Sequence, residues 1–310
     1  MKIFTYPNIG PFNRNGRGGL RKRQKELKKI NKKYGTVDFQ LVEIPADLIK
    51  NVSEEKRTGL RVCSFVDEKS VKHLYTPGFL DIEVRYVLHT EPVSSKKGLN
   101  GSCTPKLEWY DPNWVTKFIN HVFCIIDFLE IMPYAIEVHP GKFENGKNNI
   151  KVLSQAIEAL HTRYEQKYNE RILIFIENRP DQYIQDGADI AEFWEYFKNE
   201  YPHLTDRTGI ILDILQLYTS TKKYGKNFES EFSIIPKKSL LGVHIHGKHE
   251  GERIVAHQPP LIDDKIPWEY VSEHIKDWGT EKRPLHVLPE VHHAKHVEIT
   301  YEFCKDYLGL

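Results

Sequence analysis

The stretch Leu240–His257, LLGVHIHGKHEGERIVAH, decides how this chain is read. It opens as an apolar run and then sets His244 and His246 two residues apart. Side chains alternate across a strand, so both imidazoles are expected to leave the same face. His249, Glu252, Arg253 and His257 follow within eleven residues of His246. A strand that ends in so dense a polar cluster is a poor way to build an apolar core. Neutral imidazole is a common metal ligand, and two on one strand face call for a cation or a buried polar network. Histidines satisfied inside the core are the plainer alternative. The density of the cluster favours the metal-binding end of an active site.

Outward from this stretch, short apolar runs alternate with helical patterns. Strands are predicted at Lys2–Tyr6, Asp38–Ile44, Val84–His89, Tyr134–His139, Arg171–Ile176, Gly209–Leu212, from Leu240, and at Leu285–Pro289. Between them, Asp111-Pro112 supplies an N-cap and a first-turn proline for a helix to about Met132. Ile150, Leu153, Ile157, Leu160 and Tyr164 make one helical face. Further helices are predicted around Ala188–Tyr201, from Pro267-Trp268 to about Trp278, and at the end of the chain. His121 and His161 fall inside helices and read as surface or core residues. Runs this apolar are typical of strands buried on both faces of a parallel sheet. Eight βα units in 310 residues predict a (β/α)8 TIM barrel, an α/β fold in a single domain spanning residues 1–310.

Composition bounds the rest. With 40% hydrophobic and 28% charged residues, the chain is globular rather than disordered. Cys63, Cys103, Cys124 and Cys304 show no CxxC spacing, which fits a reducing, cytoplasmic setting. The N-terminus has no apolar signal region, and no stretch has the length of a bilayer span. Net charge is near zero, but ten Lys or Arg residues and one acid, Glu26, lie between Arg14 and Lys33. That run reads either as a solvated helix face, over about Leu20–Lys33, or as a phosphate-facing patch carried by Arg14, Arg17, Arg21 and Arg23.

In a barrel of this kind the active site lies at the C-terminal ends of the strands. Glu43, His89, His139, Glu177, Asp213, His244, His246 and Glu290 each close or follow an apolar run. Carboxylates converging on one mouth repel unless protonated or neutralised by cations. Mixed Glu, Asp and His ligands suit zinc, manganese or iron better than magnesium alone. Ser102, Cys103 and Ser220 have no base close to them in sequence, and no convincing nucleophile stands out.

The set Glu177, Asp213, His244 and Glu290, on four successive strands, resembles the metal shell of the xylose-isomerase-like barrels. That superfamily includes sugar isomerases and epimerases, endonuclease IV and the UV-damage endonucleases. Val138-His139-Pro140-Gly141 and Ile176-Glu177-Asn178 resemble the endonuclease branch. There His139 corresponds to a metal ligand, His89 to a second histidine ligand and His257 to the histidine of a downstream loop. Asp213 to Tyr218, Glu177-Asn178 with Tyr183, and the run His257 to Trp268 are also similar to the multinuclear iron enzymes that modify peptides. Gln216 stands where the endonucleases and many epimerases have histidine, and Val255 where aspartate precedes the loop histidine. The resemblance therefore implies a centre of one or two metals, built from His89, His139, Glu177, Asp213, His244, His246, His257 and Glu290. It implies a phosphodiester hydrolase, with Glu177 and Glu290 orienting water and the basic segment meeting nucleic acid. The alternatives are a sugar or sugar-phosphate isomerase or epimerase, with Glu177 and Glu290 as acid and base and Arg253 on a hydroxyl or phosphate, or an iron-dependent peptide-modifying enzyme.

Overall fold

The computed structural model describes residues 1–7, 25, 28–30, 32–33, 39–45, 49–50, 63–64, 85–90, 107–143, 146–250, 254–262, 264–291 and 293–310. Eight strands close into a barrel: β1 (Lys2–Tyr6), β2 (Phe39–Pro45), β3 (Arg85–His89), β4 (Ala135–Val138), β5 (Leu173–Glu177), β6 (Thr208–Asp213), β7 (Leu240–Ile245) and β8 (Leu285–Pro289). Neighbours in sequence are neighbours in the barrel, β8 closes on β1, and every pairing is parallel. The predicted TIM barrel is the fold observed.

Among the described residues beyond β3 the α-helices are α1 (Pro112–Leu129), α2 (Ile150–Tyr168), α3 (Gly187–Glu200), α4 (Ile214–Lys223), α5 (Phe228–Ser233), α6 (Trp268–Ile275) and α7 (Ala294–Glu302). Asp111 caps α1 by accepting from Asn113 N at 2.9 Å, with Pro112 in the first turn, as expected. The helix ends at Leu129 rather than near Met132, because Glu130 turns into the left-handed region at φ 55°. β6 extends one residue beyond the expected run at each end, and its last residue, Asp213, also caps α4. A two-stranded ribbon, Gly247–Glu250 with Ile254–Gln258, rises from the end of β7 and was not foreseen. Of the basic run, Ile30 is buried, and Lys33 ion-pairs with Glu298 and Glu302 of α7. Arg14, Arg17, Arg21 and Arg23 lie outside the described residues, as do most of residues 50–80. Among the described residues no helix is long and apolar enough to cross a membrane.

The barrel interior explains why a polar layer sits on an apolar one. Ile3, Leu41, Val87, Ala135, Phe175, Ile211 and Leu241 pack together as a plug, one from each of seven strands. β8 contributes His286, whose ring lies 4.8 Å from those of Phe175 and Tyr134. Two residues further along, the same inward faces carry Glu43, His89, Glu137, Glu177 and Asp213, as a two-residue strand period requires. On β7 the register shifts at Leu241, between the pairs Ile210–Leu240 and Ile211–Gly242, so that beyond the plug the inward series is Gly242, His244, His246. A Cβ on Gly242 would stand 2.5 Å from Ile211 Cδ1 and 2.6 Å from His286 Cβ, so only glycine fits there.

Candidate metal centre

All eight residues expected as metal ligands come to the one mouth. His89, His139, Glu177, Asp213, His244 and His246 are ordered by strand ends, Glu290 by the turn after β8, and His257 by the ribbon. Their donor atoms fall into three groups, each within 4.8 Å: His89, His139 and Glu177; Glu177, Asp213, His244 and Glu290; and His246, His257 and Glu290. Glu177 belongs to the first two groups and Glu290 to the last two.

The distances are those of a tight cluster. His89 Nε2 lies 3.0 Å from His139 Nε2 and 3.6 Å from Glu177 Oε2. His244 Nδ1 is 3.3 Å from Glu290 Oε2 and 3.9 Å from Glu177 Oε2. His246 Nε2 is 3.0 Å from Asp213 Oδ2 and 3.3 Å from Glu290 Oε2. His257 stacks on His246 with ring centroids 4.7 Å apart and planes 9° apart. It holds this place from a left-handed backbone, φ 55°, which costs a histidine about 1–3 kcal/mol.

Backbone anchors fix the ligands from behind. Asp213 Oδ1 accepts from Gln216 N at 2.9 Å, which leaves Oδ2 for the centre. The Asn178 carboxamide clamps the Asp213 peptide, accepting from its N at 2.8 Å and donating to its O at 3.3 Å. Trp109 Nε1 donates to His139 O at 3.0 Å, and Glu290 N to Ile245 O at 3.1 Å. Gly141 donates to Gln182 Oε1, holding the loop after His139 against that after Glu177.

Charge in the cluster is strongly redistributed. Burial opposes a proton on His89, yet Glu137, Glu43 and Glu177 lift its imidazole well above the ordinary histidine value. Burial also opposes a charge on His244, and Glu137 and Glu290 lift it well above that value. His246 is raised by Asp213, again against burial. Burial pushes Glu177 well above the usual carboxylate range, against the pull of His244 and with the push of Glu290 and Glu137. Burial works the same way on Glu290, but the approach of His244 and the charges of His246 and His257 hold it well below.

These donors fit a divalent cation. Buried atoms with no hydrogen-bond partner include His139 Nδ1, Glu177 Oε2, His244 Nδ1, His246 Nδ1 and Glu290 Oε2. A buried polar atom left in this state costs about 1–3 kcal/mol, so those on His139, Glu177, His244 and Glu290, which lie within the donor groups above, call for a partner such as a cation. Imidazole nitrogens mixed with carboxylate oxygens suit zinc, manganese or iron.

Sequence reasoning missed Glu137 and His286. Glu137 is buried within β4, with Oε1 3.3 Å from His244 Nε2 and 3.7 Å from His89 Nε2. The signal available was a carboxylate in the middle of an apolar strand. His121 and His161 are buried residues of α1 and α2, as expected, and His161 bonds Thr208 Oγ1 at the start of β6 at 2.8 Å. Arg253 lies outside the described residues.

The sequence matches no protein-family model and no curated protein. Solved structures do match over the whole chain. The IolI protein, crystallised with a zinc atom, superposes with a TM-score of 0.57 at 11% identity, covering 100% of this chain and 98% of its own. D-allulose 3-epimerase from Methylomonas sp. gives 0.53 at 13% identity, covering 98% and 97%. A xylose isomerase-like TIM barrel protein from Mycobacterium smegmatis, in complex with magnesium, gives 0.53 at 12%, covering 98% and 95%. Strand order, parallel closure and these superpositions agree: the chain has the fold of the xylose-isomerase-like TIM barrels.

Proposed function

We propose that the protein is a divalent-metal-dependent enzyme whose centre takes two ions that share Glu177. His89 and His139 would complete one site, and Asp213, His244 and Glu290 the other. The observation that carries this reading is the membership of Glu177 in two of the three ligand groups. A one-ion centre needs only the four-residue group and leaves His89 and His139, with their Nε2 atoms 3.0 Å apart, outside the ligand set.

The first chemistry this reading proposes is hydrolysis of a phosphodiester, because a two-ion centre activates water. When bound, such a pair of ions lowers the pKa of water and neutralises charge on the substrate's oxygens. Glu290, whose side chain is 17% exposed while Glu177 and Asp213 are buried, would be the carboxylate that meets substrate and orients the attacking water. Phosphate contacts would come from Arg14, Arg17, Arg21 and Arg23.

A second reading has its own support. The fold likeness includes D-allulose 3-epimerase, and Glu177 and Glu290 flank His244 in the four-residue group. In a sugar or sugar-phosphate isomerase or epimerase those two carboxylates would move a proton at the carbon beside a carbonyl, and Arg253 would hold a hydroxyl or phosphate.

The test uses protein loaded in turn with zinc, manganese and iron(II). Each form is offered a duplex with an abasic site and a panel of ketoses and ketose phosphates. Strand cleavage that disappears in Glu290→Gln supports the hydrolase. Ketose turnover without cleavage replaces it with the second reading.

A further inference from the structure

Two buried carboxylates that are not among the expected ligands touch two of the histidines that are. Glu43 Oε1 lies 2.6 Å from His89 Nδ1, and Glu137 Oε1 lies 3.3 Å from His244 Nε2. In each case the contact is on the ring nitrogen that faces away from the ligand partners. His89 turns its other nitrogen, Nε2, to His139 and Glu177, at 3.0 Å and 3.6 Å. His244 turns Nδ1 to Glu290 and Glu177, at 3.3 Å and 3.9 Å.

We infer that Glu43 and Glu137 are positioning residues that set the imidazole tautomers of His89 and His244, so that the first offers the metal Nε2 and the second Nδ1. An ionised carboxylate only accepts hydrogen bonds, so the nitrogen it faces carries the hydrogen and the other keeps its lone pair. Two histidines on opposite sides of the barrel, one at the end of β3 and one on β7, are thereby set to opposite tautomers. Without the carboxylates each ring could present either nitrogen or flip. Glu137 is suited to a positioning role by its place: it pairs with His89 across the β3–β4 register, one strand step below His139, and its side chain is 2% exposed. Its Oε1 also lies 3.7 Å from His89 Nε2, so it touches a histidine in each of the two ligand groups that share Glu177. This inference rests on the two-ion reading above and deepens it.

The experiment uses full-length protein labelled with 15N-histidine and loaded with Zn2+. Long-range 1H–15N spectra read which ring nitrogen bears hydrogen and which is shifted by zinc. The inference expects Nδ1–H with zinc-shifted Nε2 on His89, and Nε2–H with zinc-shifted Nδ1 on His244. A glutamine amide can donate as well as accept, so Glu137→Gln no longer enforces the His244 tautomer. That variant should bind Zn2+ about 10–100-fold more weakly in competition with a chelator, with Glu137→Asp restoring part of the loss. Glu43→Gln should do the same through His89, and it carries the test alone should Glu137→Gln not fold. The opposite tautomers in the wild type overturn the inference, as does wild-type Zn2+ affinity in Glu137→Gln, even with a lowered melting temperature. Those results leave the two-ion centre standing. Wild-type protein that takes up no zinc, manganese or iron overturns both.

Discussion

Glu177 Oε2 stands 3.6 Å from His139 Nδ1, and neither atom has a hydrogen-bond partner. A carboxylate and an imidazole buried this close and left unbonded define a space for a cation better than either does alone.

Metal uptake should release protons. His89 and His244 are held well above the ordinary histidine value and Glu177 well above the usual carboxylate range, so near neutral pH the metal-free cluster holds protons that ligation must displace. The sign follows: apparent affinity rises with pH, by about tenfold per unit for each proton released. Calorimetry of zinc binding in buffers of different ionisation enthalpy measures the count. Uptake with no net proton release would contradict the protonation described here.

His244 and His246 should behave differently. His244 faces Glu177 and Glu290, while His246 pairs with Asp213 and stacks on His257. His244→Ala should empty the four-residue site. His246→Ala should leave that metal bound and reduce turnover. Metal content of the two variants side by side checks the order, and the reverse pattern would show that it has been assigned the wrong way round.

Much of this was legible in the sequence, and the reasons are specific. β1 and β8 fall where predicted because Pro7 and the Pro289-Glu290 pair end their apolar runs. The ligands at strand ends were visible as ionisable residues breaking apolar runs. Glu137 and His286 were not, because a strand buried on both faces shows no polar–apolar alternation. Only barrel closure says which parity points inward, and it is closure that turns Glu137 toward His89 and His244. The ribbon after β7 was hidden for another reason: its polar residues read as a loop, yet it delivers His257 to His246.

Gly242 should tolerate no side chain. In Gly242→Ala the new methyl would press on Ile211 and on His286 Cβ in the barrel interior. Overpacking of this kind costs about 1–3 kcal/mol. Urea denaturation of the variant should show a lower midpoint with an unchanged slope; an unchanged midpoint would mean that the interior has slack at this level.

Acid stability should depend on His161, away from the metal. Burial, with Arg171 nearby, lowers its pKa from the ordinary 6.5 to about 3. Between those values the unfolded chain binds a proton that the folded chain does not. Its contribution is therefore intact above pH 6.5 and is lost as pH falls, by about 1.4 kcal/mol per unit. His161→Gln, which can still bond Thr208, should flatten the stability profile by that slope between pH 6 and 4. Parallel profiles for variant and wild type would refute this.

The most direct test is metal stoichiometry in wild-type protein and in Glu177→Gln, each saturated with zinc or manganese, desalted and subjected to elemental analysis, with circular dichroism to confirm the fold. A centre bridged by Glu177 predicts about two equivalents per chain in the wild type and loss of both in the folded variant. A single equivalent in the wild type, or two that survive the substitution, would contradict it.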